Sequence, residues 1–137
     1  MHVAPGEPGD LIAMMAVPPP GLRLTLKSNV YRLVQAQMLV SETYALFEGP
    51  DDPVPFALVG GAELPSGDLD IWFVVRSGGL ATSLLLALVR FARTMLGNRP
   101  PALCYVEGGN DHGARLARLC GFEKAAGRIG SYEEWRR

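Results

Sequence analysis

The sequence is poor in cysteine and has no long apolar run, and both shortages narrow its class. Two cysteines, Cys104 and Cys120, occur among 137 residues. They are too few for a disulfide framework and too far apart for a CxxC metal site. The apolar runs Leu11–Val17 and Leu84–Val89 are far shorter than the ~20 residues of a membrane helix. We therefore predict reduced core thiols, no bound metal and no membrane span.

The first residues lack the basic charge that opens a secretory signal. Glu7 and Asp10 precede the apolar stretch Leu11–Val17, and no Lys or Arg does. A secretory signal places positive charge ahead of its apolar region. The sequence therefore predicts a cytoplasmic location.

Charge is nearly balanced overall but divided along the chain. The formal net charge is −1, with three basic and eight acidic side chains in residues 1–69 and ten basic and six acidic in residues 70–137. A dedicated nucleic-acid binder would carry a basic stripe, which this balance argues against. The asymmetry suits an anionic ligand on the second half and a cationic partner on the first, or two unrelated solvated faces.

Length and composition are those of a single folded unit. Apolar residues make up 48% of the chain and charged residues 20%, a globular balance that excludes intrinsic disorder. A chain of this length corresponds to one domain, which we place over residues 1–137.

The periodicity of apolar residues predicts an α+β fold. We predict a short helix over Leu11–Ala16 with Asp10 as N-cap, antiparallel strands within Gln37–Phe47, Phe56–Leu64 and Leu69–Val75, a long helix over Leu80–Leu96, a strand over Leu103–Val106, a helix over Asp111–Cys120 between Asn110 and Gly121, and two strands in Ala125–Arg137. A strand–helix–strand crossover around the long helix sets one parallel pair inside a mostly antiparallel sheet. Helices flank this central sheet.

A candidate anion site lies where the third antiparallel strand runs into the long helix. Main-chain N–H groups in the first turn of a helix have no intrahelical partner, and the helix dipole adds positive charge there. Glycines let a ligand approach the main chain, and an arginine adds a cation. No Walker or dinucleotide fingerprint is present. The cofactor-binding candidates are Val74, Val75, Arg76, Ser77, Gly78, Gly79, Leu80 and Ala81.

These residues give the chain a resemblance to the GNAT superfamily of N-acetyltransferases, which have the acyl-CoA N-acyltransferase fold. The acyl-coenzyme A loop of that family reads Gln/Arg-x-x-Gly-x-Gly/Ala, and Arg76, Gly79 and Ala81 fill its fixed positions. The family also has an Asn that is followed, about ten residues on, by a Gly-Phe pair, as Asn110 is by Gly121-Phe122. With the order of elements, the resemblance covers nearly the whole chain.

The resemblance implies an acetyl-coenzyme A cosubstrate and an amine acceptor, either a small molecule or a protein. It implies that the pyrophosphate lies on the amides of residues 77–81 and that the pantetheine arm pairs with Trp72–Val75. The parallel strand Leu103–Val106 would splay away to admit the thioester. Asn110 is counted among the cofactor-binding residues.

Transfer to an amine needs a base, because an amine with a pKa of about 10.4 is protonated near neutral pH. Asp70, on the strand before the loop, is the first candidate. The alternative for Asp70 is an exposed carboxylate on a solvated strand face. Glu63, on the neighbouring strand, is the second candidate.

Two departures from the family pattern bear on activity. Many members carry a tyrosine seven residues after the helix-capping Asn to protonate the leaving thiolate, and this chain has Ala117 there. Tyr105, His112 or Cys120 are the alternatives for that role. The region that walls the acceptor site in the family is reduced to about thirty residues broken by three prolines, which favours a shallow or absent pocket.

These losses leave a second interpretation open, in which the chain is a catalytically degenerate structural or interaction protein. A more diffuse resemblance links it to GNAT-like proteins of tailed bacteriophages, some of them virion components. That interpretation implies a host-cytoplasm or virion location and homo-oligomer or virion partners. A third interpretation is a toxin-like or antitermination accessory that acts on charged tRNA. The residues shared with the phage proteins are Trp72, Asn110, His112, Arg115, Leu116, Gly121 and Phe122.

Overall fold

A computed structural model describes residues 1–16, 28–76, 80–97, 99 and 101–137. Within them lie four helices and seven short strands. The helices are α1 (Pro8–Ala16), α2 (Ser28–Val40), α3 (Thr82–Leu96) and α4 (Asp111–Leu119). The strands are β1 (His2–Pro5), β2 (Glu42–Phe47), β3 (Ala57–Glu63), β4 (Leu69–Val75), β5 (Ala102–Glu107), β6 (Glu123–Ile129) and β7 (Tyr132–Arg136).

The strands of the described residues form one seven-stranded sheet in the order β1-β2-β3-β4-β5-β7-β6. Strand β1 pairs with β2, β5 with β7, and β6 with β7, each in antiparallel fashion. The β4–β5 pair is parallel and is joined through α3. The predicted α+β fold, a mostly antiparallel sheet with one parallel pair and flanking helices, is confirmed.

The described residues fall into two compact units, the first comprising Met1–Gly60 with Phe73–Leu88 and the second Gly61–Trp72 with Val89–Arg137. In each, buried apolar side chains form the core, and each large aliphatic or Phe side chain among them stabilises the fold by about 1.5–3 kcal/mol. The first unit buries Leu11, Leu46, Phe56, Leu58, Val59 and Leu88, and the second buries Ile71, Leu96, Ala102, Cys120, Phe122 and Trp135. The prediction that residues 1–137 form a single domain stays a prediction.

Helix α1 begins three residues earlier than its sequence pattern indicates. The prediction of Asp10 as N-cap is wrong, because the helix starts at Pro8. Proline suits the first helical position, where its missing N–H is not needed. The Asp10 carboxylate instead accepts a hydrogen bond from the Glu7 main-chain N–H at 2.8 Å, so it closes the helix start from inside the first turn.

Helix α2 was not predicted, and the strand expected from Gln37 is wrong over its first five residues. Positions 37–40 belong to α2, and the strand begins only at Glu42. Leu39 and Val40 are 84% and 74% exposed. Apolar side chains therefore also occupy the outward face of this helix, and the resulting apolar pattern resembles that of a strand.

Helix α4 has the predicted ends. The Asn110 side chain accepts a hydrogen bond from the Gly113 N–H at 3.0 Å, which satisfies a donor of the first turn. At the other end Gly121 adopts a φ of 93°. The N–H groups of Gly121 and Phe122 donate to the carbonyls of Arg118 and Ala117, each at 3.0 Å. This pattern is a Schellman motif, for which glycine is the favoured residue.

No helix within the described ranges is long and apolar enough to span a membrane.

Candidate active site

In the second unit, the parallel pairing of β4 with β5 is short. It covers Leu69 opposite Ala102 and Asp70 opposite Leu103. It does not extend to Trp72 or Tyr105, although both strands continue. Asp70 therefore lies in the last residue pair of this parallel pairing.

The Asp70 carboxylate is half-buried and has no hydrogen-bond or ion-pair partner among the residues that the structure describes. Burial raises its pKa from 3.8 to about 6, because a carboxylate withdrawn from water without a partner is disfavoured in its charged form. The alternative of an exposed carboxylate on a solvated face is wrong. A partly buried carboxyl with a pKa near working pH is typical of functional sites.

The second candidate base has a different environment. Glu63 is the last residue of β3 and is exposed to solvent. Glu63 therefore lacks the partial shielding from water that Asp70 has.

Charged and phenolic side chains of β5 and β7 lie on the face of the second unit that carries Asp70. Arg136 binds the Glu134 carboxylate at 3.0 Å and the Asp68 carboxylate at 3.4 Å. Tyr105 lies opposite Glu134 in the β5–β7 register. Burial raises the pKa of the Tyr105 phenol, and the charges of Glu134 and Asp70 raise it further against the opposing effect of Arg136. Because Arg136 is already engaged by two carboxylates, the Asp70 charge stays uncompensated.

In the first unit, β4 ends at Val75 and the chain reaches Arg76. Val74 and Val75 are half-buried. The Arg76 main-chain N–H donates to the Phe56 carbonyl at 3.0 Å, and its guanidinium pairs with the Glu48 carboxylate. The Arg76 cation that we expect beside the ligand is therefore already paired with a carboxylate in this structure, and its role in cofactor binding stays a prediction.

The predicted loop is described only at its two ends. Ser77, Gly78 and Gly79 lie outside the described residues. Leu80 is half-buried and Ala81 is exposed, and the Ala81 carbonyl accepts the Leu85 N–H at 3.0 Å. Ala81 therefore precedes the first helical residue and acts as the N-cap of α3.

The first turn of α3 presents additional groups that the sequence reading did not single out. Thr82 and Ser83 are exposed, and the turn contains no acidic residue. Its N–H groups have no intrahelical acceptors, and no carboxylate of the turn offsets the positive end of the helix dipole. These two hydroxyl residues follow the predicted loop directly in the sequence, and that position could have identified them as candidate ligand-binding residues.

The remaining candidates are distributed around α4. Asn110 is exposed, and its side-chain oxygen is engaged in capping the helix. His112 is exposed in the first turn, whereas Ala117 and Cys120 are 2% and 0% exposed. Burial raises the pKa of the Cys120 thiol to about 11. Position 117 faces the core of the second unit, so a larger side chain there would have to displace packed neighbours.

A surface hollow of about 320 Å³ lies elsewhere in the second unit, at the end of α3 and the start of β5. Its lining includes Arg99 and Arg137 but none of the predicted site residues.

No protein-family model matches the chain, and no curated protein matches its sequence. Solved structures do match. An acetyltransferase from Thermus thermophilus is similar with a TM-score of 0.68 at 20% identity, over 99% of this chain and 95% of that one. The GNAT domain of PAT from S. lividans has a TM-score of 0.61 at 13% identity, over 98% and 88%.

A third match is a chimera of the spermidine N-acetyltransferase SpeG from Vibrio cholerae with hSSAT, with a TM-score of 0.60 at 12% identity, over 98% of this chain and 92% of that one. Similarity at these identities concerns the fold, and function depends on the site that the fold carries. The chain has the fold of the GNAT acetyltransferases.

Proposed function

We propose that this protein is an acetyl-coenzyme A-dependent N-acetyltransferase that transfers an acetyl group to a primary amine. The observation that carries the proposal is Asp70, a half-buried carboxylate without a partner at the end of the short β4–β5 pairing. The GNAT fold supports the reaction class, and the name of the spermidine N-acetyltransferase among its structural neighbours supports an amine acceptor.

Asp70 fits the role of general base. With a pKa of about 6, its carboxylate is mostly ionised at neutral pH, yet it is a stronger base than an ordinary aspartate. It accepts a proton from the ammonium form of the acceptor. The free amine nitrogen then attacks the thioester carbonyl carbon, and the carbon–sulfur bond breaks.

The first turn of α3 fits the binding of the cosubstrate's diphosphate. Its N–H groups and the exposed hydroxyls of Thr82 and Ser83 are donors of the kind that phosphate oxygens accept. In this proposal the loop from Arg76 to Ala81 completes the cradle and the end of β4 holds the pantetheine arm. The Arg76 guanidinium is paired with the Glu48 carboxylate. In this proposal it leaves Glu48 in order to bind the diphosphate.

Two measurements on the purified chain test the proposal. Calorimetry with acetyl-coenzyme A is expected to show binding. Release of free thiol from acetyl-coenzyme A is then expected to depend on an added amine, with spermidine, kanamycin and a lysine-containing peptide as probes. No heat of binding at millimolar acetyl-coenzyme A would overturn the proposal, and so would binding with no amine-dependent thiol release.

The structural and virion interpretation, the tRNA accessory, the homo-oligomer and the cytoplasmic location all stay predictions. Nothing in the described residues favours one of them over acetyl transfer.

A further inference from the structure

The surface hollow of the second unit brings together two arginines that are distant in sequence. Its volume is about 320 Å³, and its lining among the residues that the structure describes is Gly97, Arg99, Pro101, Ala102 and Arg137. Arg99 follows the last turn of α3, and Arg137 follows the last residue of β7. Both side chains are exposed. Two cations therefore border one concave surface.

Main-chain hydrogen bonds fix the backbone of both arginines beside the hollow. The Arg99 N–H donates to the Leu96 carbonyl at 3.0 Å, and the Arg137 N–H donates to the Ala102 carbonyl at 2.9 Å. Gly97 follows α3 with a φ of 40° and turns the chain out of the helix. Because the two backbones are already fixed, less conformational entropy is lost when both guanidinium groups bind one ligand.

Neither arginine is neutralised by a carboxylate in the part of the chain that the structure describes. The adjacent Arg136 binds the carboxylates of Glu134 and Asp68. Arg99 and Arg137, by contrast, form no ion pair with any described residue. Their charges therefore remain available to an anion from solution.

The segments around the hollow are basic and contain no acidic residue. Residues 89–106, from the second half of α3 through most of β5, contain three arginines and no Asp or Glu. Residues 112–122, which include most of α4 and its end, also lack Asp and Glu. The Arg137 side chain lies against this second segment, because its Nε is 3.3 Å from the position that a Cβ on Gly121 would occupy. Part of the positive excess of residues 70–137 therefore lies beside the hollow.

A third arginine adds to this positive charge. The Arg93 carbonyl accepts the Gly97 N–H at 2.9 Å, so Arg93 lies one turn before the hollow on the same side of α3. Burial raises the pKa of the Cys120 thiol to about 11, and the charges of Arg93 and Arg137 both oppose that rise. The two guanidinium groups therefore act on the same point of the second unit.

The helix dipoles account for only part of this charge. Arg93 and Arg99 lie at the end of α3, and Arg137 lies against Gly121 at the end of α4. The carboxyl end of a helix carries roughly half a negative charge. Two helix ends therefore offset about one of the three cations, and a positive excess remains for a ligand.

We propose that the hollow binds a small phosphate monoester, which the guanidinium groups of Arg99 and Arg137 hold from two sides. A phosphate monoester carries nearly two negative charges at neutral pH and three acceptor oxygens, so both guanidinium groups can donate to it at once. The volume of about 320 Å³ is near the lower end of the range for small-molecule pockets, about 300–1,000 Å³, which favours a ligand of the size of a sugar phosphate. The inference does not depend on acetyl transfer.

Calorimetry on the full chain at low salt tests the proposal, with ribose 5-phosphate as the probe. Ribose, which lacks the phosphate, is expected to give no heat, and gluconate, a sugar carboxylate with one charge, is expected to bind about 10-fold more weakly. Arg99→Gln and Arg137→Gln are each expected to weaken ribose 5-phosphate binding about 10-fold. Arg115→Gln, on an exposed position of α4 outside the lining, is the matched control and is expected to bind as the wild type does.

Amide NMR of the wild type locates the bound probe without any substitution. The main-chain N–H signals of Gly97, Arg99 and Arg137 are expected to shift with ribose 5-phosphate. Those of Thr82 and Ser83, in the first turn of α3, are expected to stay in place. Arg99→Gln is expected to bind acetyl-coenzyme A as the wild type does, because the proposed cosubstrate loop precedes α3 and the hollow follows it.

The outcomes separate this site from the proposed function. No heat with millimolar ribose 5-phosphate overturns the site, and so do equal affinities in Arg99→Gln, Arg137→Gln and the control. Shifts confined to Thr82 and Ser83 also overturn it, because the probe then occupies the proposed diphosphate position. A chain that binds ribose 5-phosphate at the hollow but does not bind acetyl-coenzyme A overturns the proposed function and supports this site.

Discussion

The charged residues near the two ends of strand β4 have opposite surroundings, because one is unpaired and the other is paired. At the start, Asp70 is half-buried without a partner, and its pKa is raised to about 6. After the last residue, Arg76 is partly exposed and paired with Glu48. An unpaired buried charge costs stability and gains reactivity, whereas a paired surface charge changes little. The contrast is the reason why the proposal assigns proton transfer to the Asp70 end and cosubstrate binding to the Arg76 end.

The largest expected effect is on turnover at the Asp70 end. Asp70→Asn is expected to lower kcat for acetyl transfer by about 10²–10⁴-fold with little change in acetyl-coenzyme A affinity, because only the base is lost. In the wild type, activity should rise with pH through about 6, and this limb should vanish in the variant. Steady-state kinetics across pH checks both.

Glu63→Gln is the control for this prediction, because it removes an exposed carboxylate from the neighbouring strand. It is expected to keep wild-type turnover. Equal losses in the two variants would contradict the distinction between Asp70 and Glu63.

The same substitution of Asp70 is expected to stabilise the fold. The pKa of Asp70 is raised in the native state, so between about pH 4 and 6 the native protein binds more protons than the unfolded chain, and its stability falls as pH rises. At pH 8 Asp70→Asn removes this penalty and should raise the free energy of unfolding by about 1–3 kcal/mol. Urea unfolding at pH 8 and pH 4 is the measurement.

The stabilisation should disappear at the lower pH, where Asp70 is protonated in the native state. A variant that is less stable than the wild type at pH 8 would show that the carboxylate has a partner. The penalty in the wild type is typical of a group kept for activity at the expense of stability.

A smaller effect is expected at the Arg76 end. Arg76→Ala leaves Glu48 as an unpaired carboxylate and removes the cation, so acetyl-coenzyme A binding should weaken about 5-fold, on the order of 1 kcal/mol. Calorimetry measures it, with Arg90→Ala on the exposed side of α3 as the control. Equal affinities in the wild type and Arg76→Ala would remove Arg76 from the binding site.

The smallest effect is expected for Glu48→Gln. Freeing Arg76 from its partner should strengthen acetyl-coenzyme A binding about 2-fold at low salt and leave stability within about 1 kcal/mol of the wild type. Weaker binding in this variant would indicate that Glu48 holds Arg76 in place for the ligand.

The order of elements from β2 onward could be predicted from the sequence, because the residues that begin and end these elements act on neighbouring main-chain groups. Asn110 and Gly121 end α4 through hydrogen bonds to neighbouring main-chain groups, and such signals can be read in one dimension. Helix α2 was missed because Leu39 and Val40 are apolar yet exposed. An amphipathic pattern fails where the outward face is also apolar.

The sequence indicates candidate site residues but not their surroundings. Asp70 could be chosen from its position before the loop, but its burial depends on strands distant in sequence. Likewise, Glu48 is 28 positions from Arg76 along the chain, and no spacing rule connects them.

The most direct test of the account is a pH titration of the Asp70 side-chain carboxyl carbon by ¹³C NMR, assigned by comparison with Asp70→Asn. A midpoint near pH 6 is the predicted result. A midpoint near about 3.9, the ordinary value for aspartate, would show a solvated or paired carboxylate and would contradict its role as the base.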